Sequence, residues 1–218
     1  MSGPVTSLAA APGRLLVATP VIDEPIFFRT VIGLLEHDDD VGTLGVVLNR
    51  PGELLVHEAI PRWSDAAGLP PVLFRGGPVA ESSALALAAL PGSGPGSGQS
   101  PPARSSSGEA EPQPEPEPAD PVSEGLTPLF EGLAVLDLDR DPALILPWVA
   151  RVRFYHGYAG WGPRQLQGEL RAGAWWVLPS MPMDWFSETP TMLWGQVLAR
   201  LGGSWTMWAN APEDPSVN

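Results

Sequence analysis

The chain has no cysteine. Disulfides, thiol catalysis, thiolate-held metals and iron–sulfur clusters are thereby excluded, and the composition fits a reducing compartment. It has no lysine either: all twelve basic residues are arginine. A P-loop needs a lysine to reach its phosphates, and Schiff-base chemistry needs a lysine amine, so neither is available. An all-arginine set is most simply the signature of a GC-rich genome. No apolar run reaches the roughly 18 residues that a membrane span requires. Met1 to Pro12 lack both a basic start and a long apolar core, so no signal peptide is expected. The chain reads as soluble and cytoplasmic. No histidine has a partner four residues on, no H-E-x-x-H motif occurs, and no G-x-S-x-G elbow occurs. Neither a metal site nor a serine hydrolase is indicated.

Positive charge is scarce as well. The net charge is −13 over 218 residues. Part of it is local: Glu109, Glu111, Glu115, Glu117, Asp120 and Glu124 face a single Arg104, which leaves −8 for the rest of the chain. A polyanion is repelled by such a surface unless arginine is concentrated on one face, so direct nucleic-acid binding is disfavoured. Hydrophobic residues supply 44% of the chain, enough for a sizeable core. Eight of the nine tryptophans fall between Trp148 and Trp208, which points to dense packing there.

Composition changes abruptly after Leu90. Residues 91–125, rich in Pro, Gly, Ser and Glu, carry too little apolar surface to offset ordering and are expected to be disordered. The Pro–Glu alternation in the second half favours stiff polyproline II. The segment reads either as a partner-binding loop or as an insertion the fold tolerates at small closure cost. The domain expectation is a flexible N-terminus at 1–12, then one domain over 13–218 interrupted at 91–125.

Around the insertion, strands are expected at 14–19, 31–37, 43–49, 71–74, 82–89, 132–136, 151–156 and 174–178. The acidic turn Asp38 to Gly42 joins the second and third as an antiparallel hairpin. A short helix from Val56 breaks at Pro61. Asp141 caps a helix with Pro142 in its first turn, and Pro147 ends it. Pro163 to Ala172 reads as a helix. Thr189 caps a last helix whose apolar stripe is Leu193, Trp194, Val197, Leu198 and Leu201, closed by Gly202. Without regular βαβ repetition, the class is α+β.

Three constellations could carry chemistry. Gly157-Tyr158-Ala159-Gly160-Trp161-Gly162-Pro163, followed by Arg164 and Gln165, lies between an expected strand and an expected helix start. It reads either as an anion or phosphate pocket built from backbone N–H groups, or as a tight loop making room for Tyr158 and Trp161. Glu36-His37 beside Asp38 to Asp40 could suggest a metal or a base, but adjacent strand residues point to opposite faces, so an ordinary strand end is the simpler reading. Asn49-Arg50-Pro51, with Glu53 nearby, either terminates a strand or faces a ligand. Arg75-Gly76-Gly77-Pro78 brings backbone close to something unidentified. The candidate ligand-binding residues are therefore Glu36, Asn49, Arg50, Gly76, Gly77, Gly157, Tyr158, Gly160, Trp161, Gly162, Arg164 and Gln165. No catalytic residue, cofactor or metal is expected.

The blocks LLVATPVIDEPIFFRTVIGLLEHDDDVGTLGVVLNRP, GGPV, DL at 137–138, RFYHGYAGWGPRQLQGEL, AWWVLP and the terminal P-x-DPS-x-N fall in an order that resembles the YqgE/AlgH family of bacterial proteins. The match covers nearly all of the chain outside the insertion. The resemblance implies an α+β fold whose mixed, mostly antiparallel branched sheet curls into a pseudo-barrel with flanking helices. It also implies a non-catalytic protein of unknown molecular function, with no established enzymatic activity in the family and one branch named for transcriptional regulation. The alternative reading is a small-molecule, anion- or phosphate-binding protein or enzyme that uses the loop from Gly157 to Gly162. In the pattern GPxQLExE this chain has Arg164 and Gln167 where the family has Gly and Glu, while Glu169 is kept. The expected partner is another protein or a small anionic ligand.

Overall fold

The structure, a computed structural model, describes residues 7–91, 125–130 and 132–209. Apart from its two end residues, the insertion at 91–125 lies outside the described residues. Before it come strands β1 (Arg14–Ala18), β2 (Val31–Asp38), β3 (Gly42–Val47) and β4 (Pro51–Leu55), helix α1 (Val56–Ala59), and strands β5 (Val72–Arg75) and β6 (Val79–Ala89). After it come β7 (Leu126–Phe130), β8 (Leu133–Leu136), α2 (Pro142–Ile145), β9 (Arg151–Trp161), α3 (Gln165–Arg171) and β10 (Trp175–Pro179). Short helices α4 (Pro182–Trp185), α5 (Leu193–Ala199) and α6 (Trp205–Ala209) follow.

These ten strands form one sheet in the order β10-β1-β2-β3-β9-β6-β8-β7, with β5 branching from β9 and β4 pairing β5. Strands from both sides of the insertion are interleaved, and β6 pairs β8 antiparallel with Ala89 opposite Leu133. The sheet is mostly antiparallel and curls into a half-barrel, so the fold is α+β as expected. The β5–β9 pair is parallel, with Phe74 opposite Tyr155 and Arg75 opposite His156. The β2–β3 hairpin forms through the acidic turn, with a register shift between Leu34 and Glu36.

Both faces of the sheet are covered, which is why β1 reads as an unbroken apolar run rather than an alternating one. Leu15 and Val17 enter a core shared with Trp185, Leu193, Trp194, Val197 and Leu198 of α4 and α5. Leu16 and Ala18 point the other way, into a core with Trp161, Leu166 and Trp175. A third core, under α1 and α2, takes Trp63, Ile145, Val152 and Phe154. Large indoles need their N–H paired when buried: Trp63 donates to the Leu138 carbonyl at 3.0 Å and Trp194 to that of Ala18 at 2.9 Å.

Two buried polar groups lie on the inner face of β9. Arg153, 3% exposed, donates through Nη2 to the carbonyls of Leu69 and Ser187, both at 2.9 Å, and its guanidinium lies 4.2 Å from the Phe74 ring centre. Burial lowers its pKa below the ordinary arginine value. Two positions on, the Tyr155 hydroxyl is fully buried without a protein hydrogen-bond partner among the described residues. Burial pushes it well above the ordinary tyrosine value, against a smaller pull downward from Arg153.

Several expectations change at element ends. The strand expected at 151–156 continues to Trp161, so Gly157 to Trp161 is strand and not loop. Thr189 makes no side-chain cap; Pro190–Met192 is a 3-10 turn, and the Thr189 hydroxyl accepts from Gln196 instead. Leu201 stands 36% exposed, outside the buried stripe of α5. Asp141 does cap α2, accepting from the Ala143 N–H at 3.0 Å. In the terminus expected to be flexible over 1–12, the described part is tied to β10: Leu8 N donates to the Val177 carbonyl, and Val177 N to Ser7 Oγ. Among the described residues, no helix is long and apolar enough to cross a membrane.

Candidate functional site

The glycines that looked like a ligand loop solve a backbone problem. Gly157 sits at φ +66°, where β9 changes neighbours from β5 to β3, and a Cβ there would come 2.4 Å from the Gly77 carbonyl oxygen. Gly76 and Gly77 face the same crossing: a Cβ on Gly76 would lie 2.2 Å from the Gly157 oxygen, and one on Gly77 would lie 2.3 Å from the Tyr158 carbonyl. The two chain segments meet too closely for any side chain, which is the use of glycine where backbone approaches backbone. Tyr158 is half-buried and packs against the core under α4 and α5.

The start of α3 is likewise occupied by its own residues. The Gly162 N–H donates to Gln165 Oε1 at 3.0 Å, and the exposed Arg164 pairs with Asp40 at 3.0 Å. The groups that suggested an anion pocket there are spent on one another. Asn49 is fully buried and bridges two chain segments: Oδ1 accepts from Val31 N at 2.9 Å, and Nδ2 donates to the Arg29 carbonyl at 2.8 Å. Glu36 is exposed on β2, and the neighbouring His37 ring contacts Thr43 Oγ1 at 2.7 Å and Asp39 at 3.4 Å. The twelve candidate residues therefore do not meet in one pocket.

Two of them, Arg50 and Gly77, line an open cleft of about 830 Å³. Around them stand Arg75, His156, Glu53, Glu81, Ser82 and Ser83, with apolar Ile26, Leu54, Ile60 and Leu73 also lining the cleft. The parallel pairing of β5 with β9 sets Arg75 directly opposite His156, so both side chains leave the sheet on one face. Gly52 on β4 lets that strand lie close against β5: a Cβ there would come 2.5 Å from the Leu73 carbonyl oxygen. One Arg50 nitrogen donates to the Phe28 carbonyl and pins segment 20–30 along the cleft edge. Arg75 is exposed and has no ion-pair or hydrogen-bond partner for its guanidinium among the described residues. Sequence reasoning left Arg75 and His156 out of the site. They lie 81 positions apart and share no local motif; only the parallel strand pair brings them together.

Gly160, Trp161 and Gln165 line a different cavity of about 440 Å³ on the far side of segment 20–30, together with Asp23, Glu24, Phe27, Pro78, Glu169 and Trp175. Its wall is organised by Glu169. Oε2 accepts both indole N–H groups, from Trp161 at 2.9 Å and Trp175 at 2.8 Å, while Oε1 accepts from Gln165 Nε2 at 3.1 Å. The rings of Phe27 and Trp161 both stand nearly perpendicular to Trp175, at 5.7 and 6.1 Å between centres.

Residues 15–206 match the family model described as AlgH-like. The chain is 42% identical to a "UPF0301 protein" of Streptomyces coelicolor over the whole of both chains, and 38% identical to a "UPF0301 protein" of Mycobacterium marinum over 94% of this chain and 90% of that one. A crystal structure of protein DIP2367 from Corynebacterium diphtheriae superposes with TM-score 0.76 at 27% identity, covering 95% of each chain. The solution structure of the AlgH protein from Pseudomonas aeruginosa superposes with TM-score 0.60 at 25% identity, covering 97% of each. The chain belongs to the AlgH-like family of bacterial proteins.

Proposed function

We propose that the protein is a non-catalytic, regulatory binding protein of the cytoplasm that takes a small anionic ligand in the cleft between β4, β5 and β9. The observation that carries the reading is the convergence of Arg75, His156 and Arg50 on one open cavity large enough for a metabolite. Arg75 offers a two-pronged donor suited to carboxylate or phosphate, and His156 adds a ring N–H. Ile26, Leu54, Ile60 and Leu73 would take the apolar body of the ligand, and Glu53 and Glu81 would accept from its hydroxyl or amine groups. Among the described residues no hydrogen bond joins His156 to Ser82 or Ser83, so neither hydroxyl has the paired base that nucleophilic catalysis needs. This favours binding over chemistry.

A regulatory role fits ligand-dependent contact with another protein better than contact with DNA, because the chain carries a net charge of −13. The test is a thermal-shift screen with nucleotides, phosphorylated sugars and dicarboxylates, followed by titration calorimetry on each hit. A hit is expected to lose at least tenfold in affinity in Arg75→Ala, which leaves the fold intact because Arg75 is exposed. A screen without hits, or a hit indifferent to Arg75→Ala, overturns the assignment.

A further inference from the structure

The second cavity has the opposite chemistry. Asp23, Glu24 and Glu169 line it, no basic residue does, and three aromatic rings wall it. We propose that it binds a small organic cation, an alkylammonium or its methylated form.

Three independent features converge on a cation. The first is charge: among the described residues none of the three carboxylates forms an ion pair, so the cavity holds a net negative field with no internal counter-ion. The second is rigidity. Glu169 is clamped by two indole N–H groups and one amide, so its charge stays at the wall rather than swinging out to solvent. The third is shape. Phe27 and Trp161 pack edge to face with Trp175, at interplanar angles of 80° and 87°, so the three rings hold one another in place where they line the cavity. Aromatic walls attract a cation through the ring quadrupole, and a methylated ammonium, weakly hydrated, loses little on entering.

The same features disfavour other occupants. An inorganic cation prefers several freely orientable oxygens, whereas both Glu169 oxygens are already taken by donors. An anion would meet three uncompensated carboxylates. A neutral apolar molecule would partly desolvate Asp23 and Glu24 without giving them a partner.

Segment 20–30 supplies the outer wall and is anchored on both sides. The Ile22 N–H donates to the Thr19 carbonyl, Thr30 Oγ1 donates to that of Phe27, and Ile22 and Phe27 pack on the Trp161–Trp175 core. Asp23 and Glu24 are therefore held at the mouth of the cavity on an ordered segment, exposed to solvent and free to be substituted without disturbing a core.

Titration of the full chain with choline and with dimethylbutanol, its uncharged tert-butyl isostere, tests the assignment by calorimetry and tryptophan fluorescence. Choline is expected to bind saturably, the isostere at least tenfold more weakly, with a fluorescence change from Trp161 and Trp175. The double variant D23N/E24Q is expected to weaken choline about tenfold. Phe27→Leu, which removes one wall, is expected to weaken it several-fold. E58Q/D65N makes the same change in net charge away from the cavity and is expected to leave choline binding unaltered. The proposal is overturned if choline does not saturate, if the isostere binds as well, or if E58Q/D65N weakens binding as much as D23N/E24Q.

Discussion

Glu169→Ala removes the acceptor for two buried indoles at once. Trp161 is 6% exposed and Trp175 4%, and their N–H groups reach Glu169 Oε2 at 2.9 and 2.8 Å. A buried donor left unpaired costs about 1–3 kcal/mol. Gln165 is exposed and turns to water, so it adds little. The two indoles together set the expected loss at about 3 kcal/mol, after partial hydration of the space left by the carboxylate. For a chain of this size that lowers the melting temperature by roughly 6–12 °C. Glu169→Gln behaves differently. Its amide oxygen still accepts from the indoles, and its NH₂ meets Gln165 once that side chain turns over and leaves the exposed Gly162 N–H to water, so the loss is only about 1 kcal/mol. Urea unfolding followed by tryptophan fluorescence and far-ultraviolet circular dichroism measures both. Alanine within 1 kcal/mol of the parent, or glutamine as damaging as alanine, would show that the carboxylate does not hold these indoles.

The secondary structure was legible wherever a local rule dominated. Asp141 before Pro142 announced a capped helix start, and Ala143 N–H does bond the Asp141 carboxylate. The β2–β3 hairpin followed from its acidic turn. The reading failed where a tertiary demand imitated a local one. Gly157 to Gly162 looks like a ligand loop because it is rich in glycine, yet the glycine at 157 is there so that β9 can cross the Gly76-Gly77 segment at backbone contact distance. Short elements such as β4, β7, α4 and α6 escaped for another reason: each is four or five residues, too few for a period to show. The candidate site was half legible. Arg50 and Gly77 were found through their turns, but Arg75 and His156 are joined only by a parallel strand pair, and Glu169 acquires meaning only when Trp161 and Trp175 are seen to converge on it.

Gly157→Ala places a Cβ 2.4 Å from the Gly77 oxygen at a left-handed φ, and is expected to cost about 3–5 kcal/mol, read as a collapse in soluble yield and urea midpoint; near-parental stability would mean the crossing can open. Tyr155→Phe deletes a hydroxyl that is fully buried without a protein partner among the described residues, so it is expected to raise stability at neutral pH by about 1 kcal/mol. The same variant tests linkage. Burial raises the folded-state value of Tyr155 above the unfolded value of about 10, so the folded protein holds the proton where the unfolded chain has released it. Stability from this group is complete below about pH 10 and falls as the pH climbs beyond it, because unfolding then releases a proton. Equilibrium unfolding between pH 8 and 11 should therefore decline more steeply for the parent than for Tyr155→Phe; parallel curves would place the hydroxyl in contact with solvent.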